Sequence, residues 1–529
     1  MSRSNESSVT SIPSEAIQKV FISNYQDVVE DITDLVYGFS IYEHLMKPTS
    51  SCEILLADAK GLPQILPIIG DEKLTIHYKT RGVKTNNEQY ETRKRAFQVY
   101  KLDKLVESAE RQHNYVLHGV DDHFIMNEMI DLNQSFVGQN CVKAIESIFK
   151  SNFIKNINDE FRPFTIYEKL NGLEREDVIE STNSSFYISP GVTPFEAITY
   201  LKEEAEHKNF PTNNSDFVFY QDYQGFHLTT LSELKNQPAK YSYTVKDMAA
   251  ESDNTGRQVG ESQDTGETDD MKTVIDFEIK KTFDSIHHLG LGTYGNRVAA
   301  IDLLTKQFDE KSFSYSEEYR TLNPMDQGRL ISDKSLYRFS GSTHTRYLPT
   351  ELLSNSIPTG VPTGFNNSIA NYSQTPYFYP IDGQGKEEGT ISNEDANKRL
   401  QEIIQKDPKI ANPRRKHYSL NKKVSGIGIL DTIVVDILVP GNSDVKVGDT
   451  INFYLPQTSA DIDDKLYNMF FGQKDPKFLV VKLNQKFINE VSSYHTLITI
   501  VKDSFKDEVA TIMKKRADSL GEPTEMRQN

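Results

Sequence analysis

The chain has 529 residues, with 59 Lys and Arg against 76 Asp and Glu, giving a formal net charge of −17. That length is too great for one hydrophobic core and predicts three or four folded units. The acidic balance excludes wrapping of nucleic acid through phosphate neutralisation, which needs clustered cations. Only two cysteines are present, Cys52 and Cys141, which excludes a disulfide scaffold and predicts buried structural thiols. A hydrophobic content of 37 % is low for a compact enzyme of this size. It fits elongated domains, long loops and surface that is buried only on assembly. No run of about 18 apolar residues exists to span a membrane, and residues 1–14 are polar, without the apolar stretch of a signal peptide.

The first predicted strand is 17–23. Residues 31–78 then read as a tight β meander. Tyr37, Phe39 and Ile41 alternate with Gly38, Ser40 and Tyr42, the period of a half-buried strand. Lys47-Pro48-Thr49 breaks the chain, and 52–57 is nearly all apolar, a strand covered on both faces. Gly70-Asp71 is a turn signal, after which Leu74, Ile76 and Tyr78 share one face. Residues 81–92 form a charged loop at a hairpin tip, and 96–102 and 114–120 return to alternation. Six strands in 120 residues, joined by short connections, predict a small β barrel or sandwich.

The period then changes. Residues 124–129 and 141–149 have helical spacing, with Val142, Ile145, Ile148 and Phe149 in one stripe. Thr193-Pro194-Phe195-Glu196 is a helix start, because Thr193 can cap, Pro194 suits the first helical position and Glu196 completes a capping box. Strands at 216–221 and 226–230 are joined by Tyr223-Gln224-Gly225. Residues 121–240 are therefore predicted to be a small α+β unit. Residues 245–270 are rich in Gly, Ser, Thr and acids without apolar period, which predicts a disordered loop. Strands are expected at 274–280 and 297–304, with helical turns at 283–289 between them. The stretch 312–393 is irregular, and 393–406 is a predicted helix ended by Pro408 and Pro413. Strands at 433–439, 450–455, 478–483 and 494–502 make a second β unit, followed by a short charged helix at 508–516.

The motifs Ile22-Ser23-Asn24, Asp31-Ile32-Thr33-Asp34, Phe39-Ser40-Ile41-Tyr42-Glu43 and Leu66-Pro67-Ile68-Ile69-Gly70-Asp71-Glu72 together resemble the N-terminal barrel of baseplate hub proteins of contractile-tailed bacteriophages. Near the other end, Gly441-Asn442, Val447-Gly448-Asp449 and Lys502-Asp503-Ser504 resemble the second barrel of that family. The resemblance covers most of 17–304 and 424–504. It implies a mainly β chain with an α+β insert and two tail-tube-like barrels. It divides the chain into a first barrel of 1–120 plus 271–311, an inserted α+β domain at 121–240 and an acidic disordered loop at 241–270. An irregular and helical region at 312–423, a second barrel at 424–505 and a tail at 506–529 complete it. It implies a structural virion protein in the tail baseplate, assembled in the host cytoplasm. Three copies would form a pseudo-six-fold ring joining the tail tube or its initiator to the central spike, with wedge proteins as further neighbours. DNA would pass through without sequence-specific binding.

The candidate chemical motifs carry little against this reading. Gly290-Leu291-Gly292-Thr293-Tyr294-Gly295 matches a dinucleotide fingerprint, but a helical pattern precedes it and a strand follows, the reverse of what a pyrophosphate needs. His287-His288 point apart and lack accompanying ligands. Asp461-Ile462-Asp463-Asp464 lacks the glycine and distant glutamate of a calcium loop. Arg414-Arg415-Lys416-His417 is the only basic cluster and reads as a docking patch for a carboxylate surface. No catalytic, cofactor or metal residue is assigned and no enzymatic activity is expected. The alternatives are a hub-associated cell-wall hydrolase, marked by a cleft with a raised-pKa carboxylate, and a tube-initiator protein, marked by a single barrel.

Overall fold

The computed structural model describes residues 17–26, 28–80, 91–109, 112–154, 161–162, 184–207, 215–245, 272–282, 284–293, 295–302, 307–314, 324–325, 375–380, 413–455, 477–489 and 493–504. The fold is mainly β, built on one large and largely antiparallel sheet with few helices. Chain order gives β1 (Ile17–Ser23), β2 (Val29–Asp31), β3 (Val36–His44), β4 (Ser51–Asp58), β5 (Lys73–Tyr78), β6 (Arg93–Ala109) and β7 (Gln112–Val120). The insert follows with β8 (Ser135–Asn140), β9 (Phe161–Arg162), β10 (Ser184–Ile188), β11 (Phe217–Asp222) and β12 (Gly225–Thr230). Then come β13 (Tyr241–Val245), β14 (Thr273–Val274), β15 (Asp276–Lys281), β16 (Gly295–Asp302), β17 (Gln307–Ser314) and β18 (Thr375–Pro380). The last four are β19 (Ile433–Pro440), β20 (Thr450–Tyr454), β21 (Lys477–Ile488) and β22 (Ser493–Lys502).

The first seven strands close on themselves. β1 pairs β5, β5 pairs β6, β6 pairs β7, β7 pairs β4 and β4 pairs β3. The run from β2 to β3, through a 3-10 turn at Thr33–Leu35, returns to β1 because β2 pairs it. Inside lie Ile22, Ile41, Ile54, Leu74, Ile76, Phe97 and Leu117, all buried. The period-two pattern thus does what a barrel requires, sending alternate side chains inward.

A second ring repeats the plan. β13 pairs β20, β20 pairs β21, β21 pairs β22, β22 pairs β19 and β19 pairs β15. β14 pairs β13 and continues through Ile275, whose N–H donates to the Leu438 carbonyl, into β15. The ring order is the same strand for strand, with β19, β20, β21 and β22 in the places of β4, β5, β6 and β7. One direction differs: β1 is antiparallel to β5, whereas β13 is parallel to β20.

The register repeats as well. Leu74 faces Phe97 as Ile451 faces Phe478. A bulge follows Val99 in β6 and Val480 in β21. In each case the valine N–H donates to the carbonyl just before the preceding strand, Val99 to Glu72 and Val480 to Asp449. Glu72 and Asp449 are both fully buried, and each carboxylate accepts backbone N–H groups of the turn it closes, from Ile69 and Gly70 and from Lys446 respectively. Across the other side, Phe39 faces Ile54 and Phe277 faces Ile437.

These pairings correct the sequence reading in two places. The stretch 271–311 does not return to the first barrel. Residues 273–281 pair with β13 and β19 and so complete the second ring, while β16 lies in a separate sheet with β17 and β18. Residues 241–245, expected in the acidic loop, are β13; the rest of that loop, 246–271, lies outside the described residues. Pro413 opens a helix, Pro413–Leu430, the position where its missing N–H costs nothing. The second ring was therefore drawn too short, because its strands come from both sides of a long excursion and no local pattern links them. The expected helices at 393–406 and 508–516 lie outside the described residues.

The insert behaves as its periods predict. Helix Cys141–Asn152 buries Val142, Ile145, Ile148 and Phe149, and helix Pro194–Glu204 carries the Thr193–Glu196 capping box. Both pack on the β11–β12 hairpin around an aromatic cluster of Phe149, Phe153, Phe195, Phe219 and Phe226.

Candidate functional site: the seam between the two barrels and its polar junction

The two rings meet along one antiparallel pairing. β21 leaves β20 after Leu479 and from Lys482 to Ile488 pairs with His44 to Gly38 of β3. β3 can accept it because β1 pairs β2 and β5 and leaves that edge of β3 open. Gly38 is required here: a β-carbon on it would lie 2.6 Å from the Phe487 carbonyl oxygen. Phe487 then crosses into the first barrel and stacks on Phe39 at 4.1 Å, with Tyr494 stacked on its other face at 4.0 Å. Tyr494 in turn lies against Gly441, where a β-carbon would meet its ring at 2.1 Å. Its hydroxyl donates to Gln485 at 2.8 Å. The second barrel's hairpin thus caps the first barrel's core.

Beside the seam the β11–β12 hairpin is wedged between the rings through buried polar groups. Arg95 donates to Glu43 at 2.7 Å and also to Ser50. Ser50 donates from both its N–H and hydroxyl to Gln221, and Gln221 donates to Asp121 at 2.6 Å. Asp121 holds His123 at 2.6 Å, and Asp122 holds the same ring nitrogen at 3.0 Å. On the opposite side Lys446 reaches Gln224 at 2.7 Å and Asp222 at 3.5 Å, while Asp222 pairs with His227 at 2.9 Å. Lys240 bridges to Asp449, and Arg93 joins Asp444 while lying over the Tyr223 ring. Lys235 pairs with Asp503 at 2.9 Å in full burial.

The electrostatics follow from this burial. Glu43 is pushed up to about 7 by loss of water, against the pull of Arg95. Burial disfavours the charged His123 ring, yet its bonds to Asp121 and Asp122 prevail and hold it up to about 10. Burial would raise Asp222, but the His227 ring beside it brings it down to about 2. Asp122 is held down to about 2 by its hydrogen bond to His123. Glu43 has the raised carboxyl expected of a glycosidase acid, but its side chain is 3 % exposed and spent on Arg95. A general acid must touch the leaving group, so this carboxyl is part of the joint.

Asp121, Asp122 and His123 bring ligand-type atoms within 4.8 Å of one another. Their 2.6 and 3.0 Å separations are those of a charged imidazole between carboxylates, and Asp121 also accepts the His123 backbone N–H as the helix N-cap. The sequence motifs are not gathered here. Gly290 ends a helical turn and Gly292 takes φ 72° ahead of β16, so no helix opens from the glycines. His287 is exposed while His288 is buried 3.9 Å from Asp431, so the two rings face different surroundings. Arg414 to His417 fall in the helix Pro413–Leu430, and Asp461 to Asp464 lie outside the described residues. Cys52 and Cys141 are buried thiols not joined in a disulfide. Sequence reasoning missed the junction because its members, such as Glu43, Arg95, Gln221 and Lys446, are far apart in the chain and share no motif.

No family model and no curated protein sequence matches the chain. Among solved structures it is similar to a tail protein from Neisseria meningitidis MC58, at 8 % identity and TM-score 0.45, covering 92 % of this chain and 96 % of that one. It is similar to the 43 kDa tail protein of prophage MuSo2 from Shewanella oneidensis, at 10 % identity and TM-score 0.41, covering 92 % and 99 %. A third similar structure is the E. coli c3393 protein, described as a type VI secretion component resembling T4 tail proteins gp27 and gp5, at 8 % identity and TM-score 0.34, covering 89 % and 74 %.

Proposed function

We propose that this chain is a structural protein of a phage tail, the baseplate hub that joins the tail tube to the central spike. The observation that carries this reading is the internal repeat: two seven-stranded rings with the same strand order and the same bulge, fused edge to edge by β3 and β21. A chain with two equivalent barrels lets three copies present six similar units. Such a ring matches a six-fold tube on one face and a three-fold spike on the other. The net charge of −17 suits a wall that DNA passes without sticking.

On this reading the protein is not an enzyme. Its partners are two further copies of itself, a tube or tube-initiator protein and a spike, with wedge proteins outside. Its place is the distal end of the tail in the virion, after assembly in the host cytoplasm. Immunogold labelling of intact tails with an antibody against this chain tests it. Label confined to the baseplate end of the tube is expected; label along the tube or at the head would overturn it.

A further inference from the structure

One buried pair brings an amine and a carboxyl together out of water. Lys235 lies in the helix Leu231–Asn236, which follows the β11–β12 hairpin, and Asp503 follows directly on β22. Lys235 Nζ donates to Asp503 Oδ2 at 2.9 Å, and the two side chains are 1 % and 2 % exposed. No other described lysine–carboxylate pair is enclosed on both sides at that distance. Lys240 is 37 % exposed beside Asp449, and Lys446 stands 3.5 Å from an Asp222 that already holds His227. Taking two charges out of water often costs more than their attraction returns. An amide in their place removes both charges.

The other oxygen of Asp503 is already seated. Oδ1 accepts the Met325 N–H at 2.9 Å and the Ser504 hydroxyl at 2.8 Å. Two donors on one oxygen, with an amine against the other, is how an acyl centre is held when negative charge is to develop on it. A second carboxyl, Asp216, is also buried and meets the same helix, accepting the Ser232 N–H and hydroxyl at 3.4 Å each. Loss of water raises this carboxyl, and the Lys235 charge is the largest influence opposing the rise.

We propose that Lys235 and Asp503 condense within the folded chain, forming an isopeptide bond between Nζ and Cγ. The ammonium first passes one proton to Oδ2. The Nζ lone pair then attacks Cγ and the C–N bond forms. Negative charge gathers on Oδ1, where the Met325 N–H and the Ser504 hydroxyl hold it. The nitrogen gives up a second proton, which Asp216 relays to Oδ2, and the C–Oδ2 bond breaks to release water. One ammonium and one carboxylate thus become one amide and one water, with no oxidant or co-reactant. Holding the amine against the acyl carbon supplies the proximity that such a bond lacks in solution. The bond fastens the insert to the closing strand of the second barrel. It needs no assembly and stands apart from the hub reading.

Mass spectrometry of the purified, denatured full-length chain tests this. Wild type is expected to be lighter by one water than its sequence requires, and its digest is expected to hold a branched peptide joining Lys235 to Asp503. Lys235→Arg keeps the ion pair but cannot condense in the same way, so it is expected at full mass with a wild-type circular dichroism spectrum. Asp503→Asn is expected to lose ammonia in place of water, since the amide nitrogen is then the leaving group. Wild type at full mass after prolonged incubation of the folded protein, with unbranched peptides covering 235 and 503, would overturn the bond. A water deficit that persists in Lys235→Arg would also overturn it, because the loss would then come from other residues.

Discussion

Gly38 and Gly441 show how much of the joint rests on missing atoms. A methyl at Gly38 meets a backbone carbonyl, which cannot swing away, so Gly38→Ala is expected to lower stability by about 1–3 kcal/mol, as overpacking does. Chemical denaturation of the purified variant measures it. The charge state of His123 depends on its neighbours Asp121 and Asp122. Its folded pKa of about 10 lies above the ordinary 6.5, so its stabilisation is fully present below pH 6.5 and is lost as pH rises towards 10. The stability difference between wild type and His123→Gln is expected to shrink across that window. Asp122 and Asp222, both held near 2, work in the other direction, and their contribution is lost as pH falls from about 4 to 2. Denaturation midpoints taken across pH for wild type and variant separate the two limbs. Arg95→Met leaves Glu43 enclosed without its cation, a change that costs about 3–5 kcal/mol when a buried pair is broken from one side.

At the scale of elements, the β21–β22 hairpin contributes to both cores at once. Its first half faces the second barrel through Phe478 and Val480, and its tip faces the first through Phe487 and Tyr494. Phe487→Ala is expected to cost about 3–5 kcal/mol and to merge the unfolding of the two rings less tightly, visible as a broader calorimetric transition. Most of these strands were legible in the sequence, since alternation around Phe39, Leu74 and Phe97 is a local signal that burial then confirms. The insert was legible for the same reason, from the 3.6 period of Val142 to Phe149 and the capping box at Thr193. What the pattern could not carry was partnership. β13 and β15 look like any half-buried strand, and only their pairing with β20 and β19 assigns them to the second ring.

At the scale of the whole molecule, the chain is a repeat whose two units differ mainly in what is spliced into them. The first ring is continuous along the chain, whereas the second is interrupted between β15 and β19 by the three-stranded sheet of β16, β17 and β18 and the helix Pro413–Leu430. The polar junction of Arg95, Gln221, Asp222 and Lys446 fixes the insert between the rings, so the two barrels and the wedge are set at one mutual angle. It had no sequence signature, because charges brought together by tertiary structure leave no spacing to read. That fixed angle is what a closed ring of copies requires. Imaging of the purified full-length protein by electron microscopy tests this most directly. The account predicts a three-fold particle with six similar lobes around an opening. A single-chain particle, or one with two-fold symmetry, would contradict it.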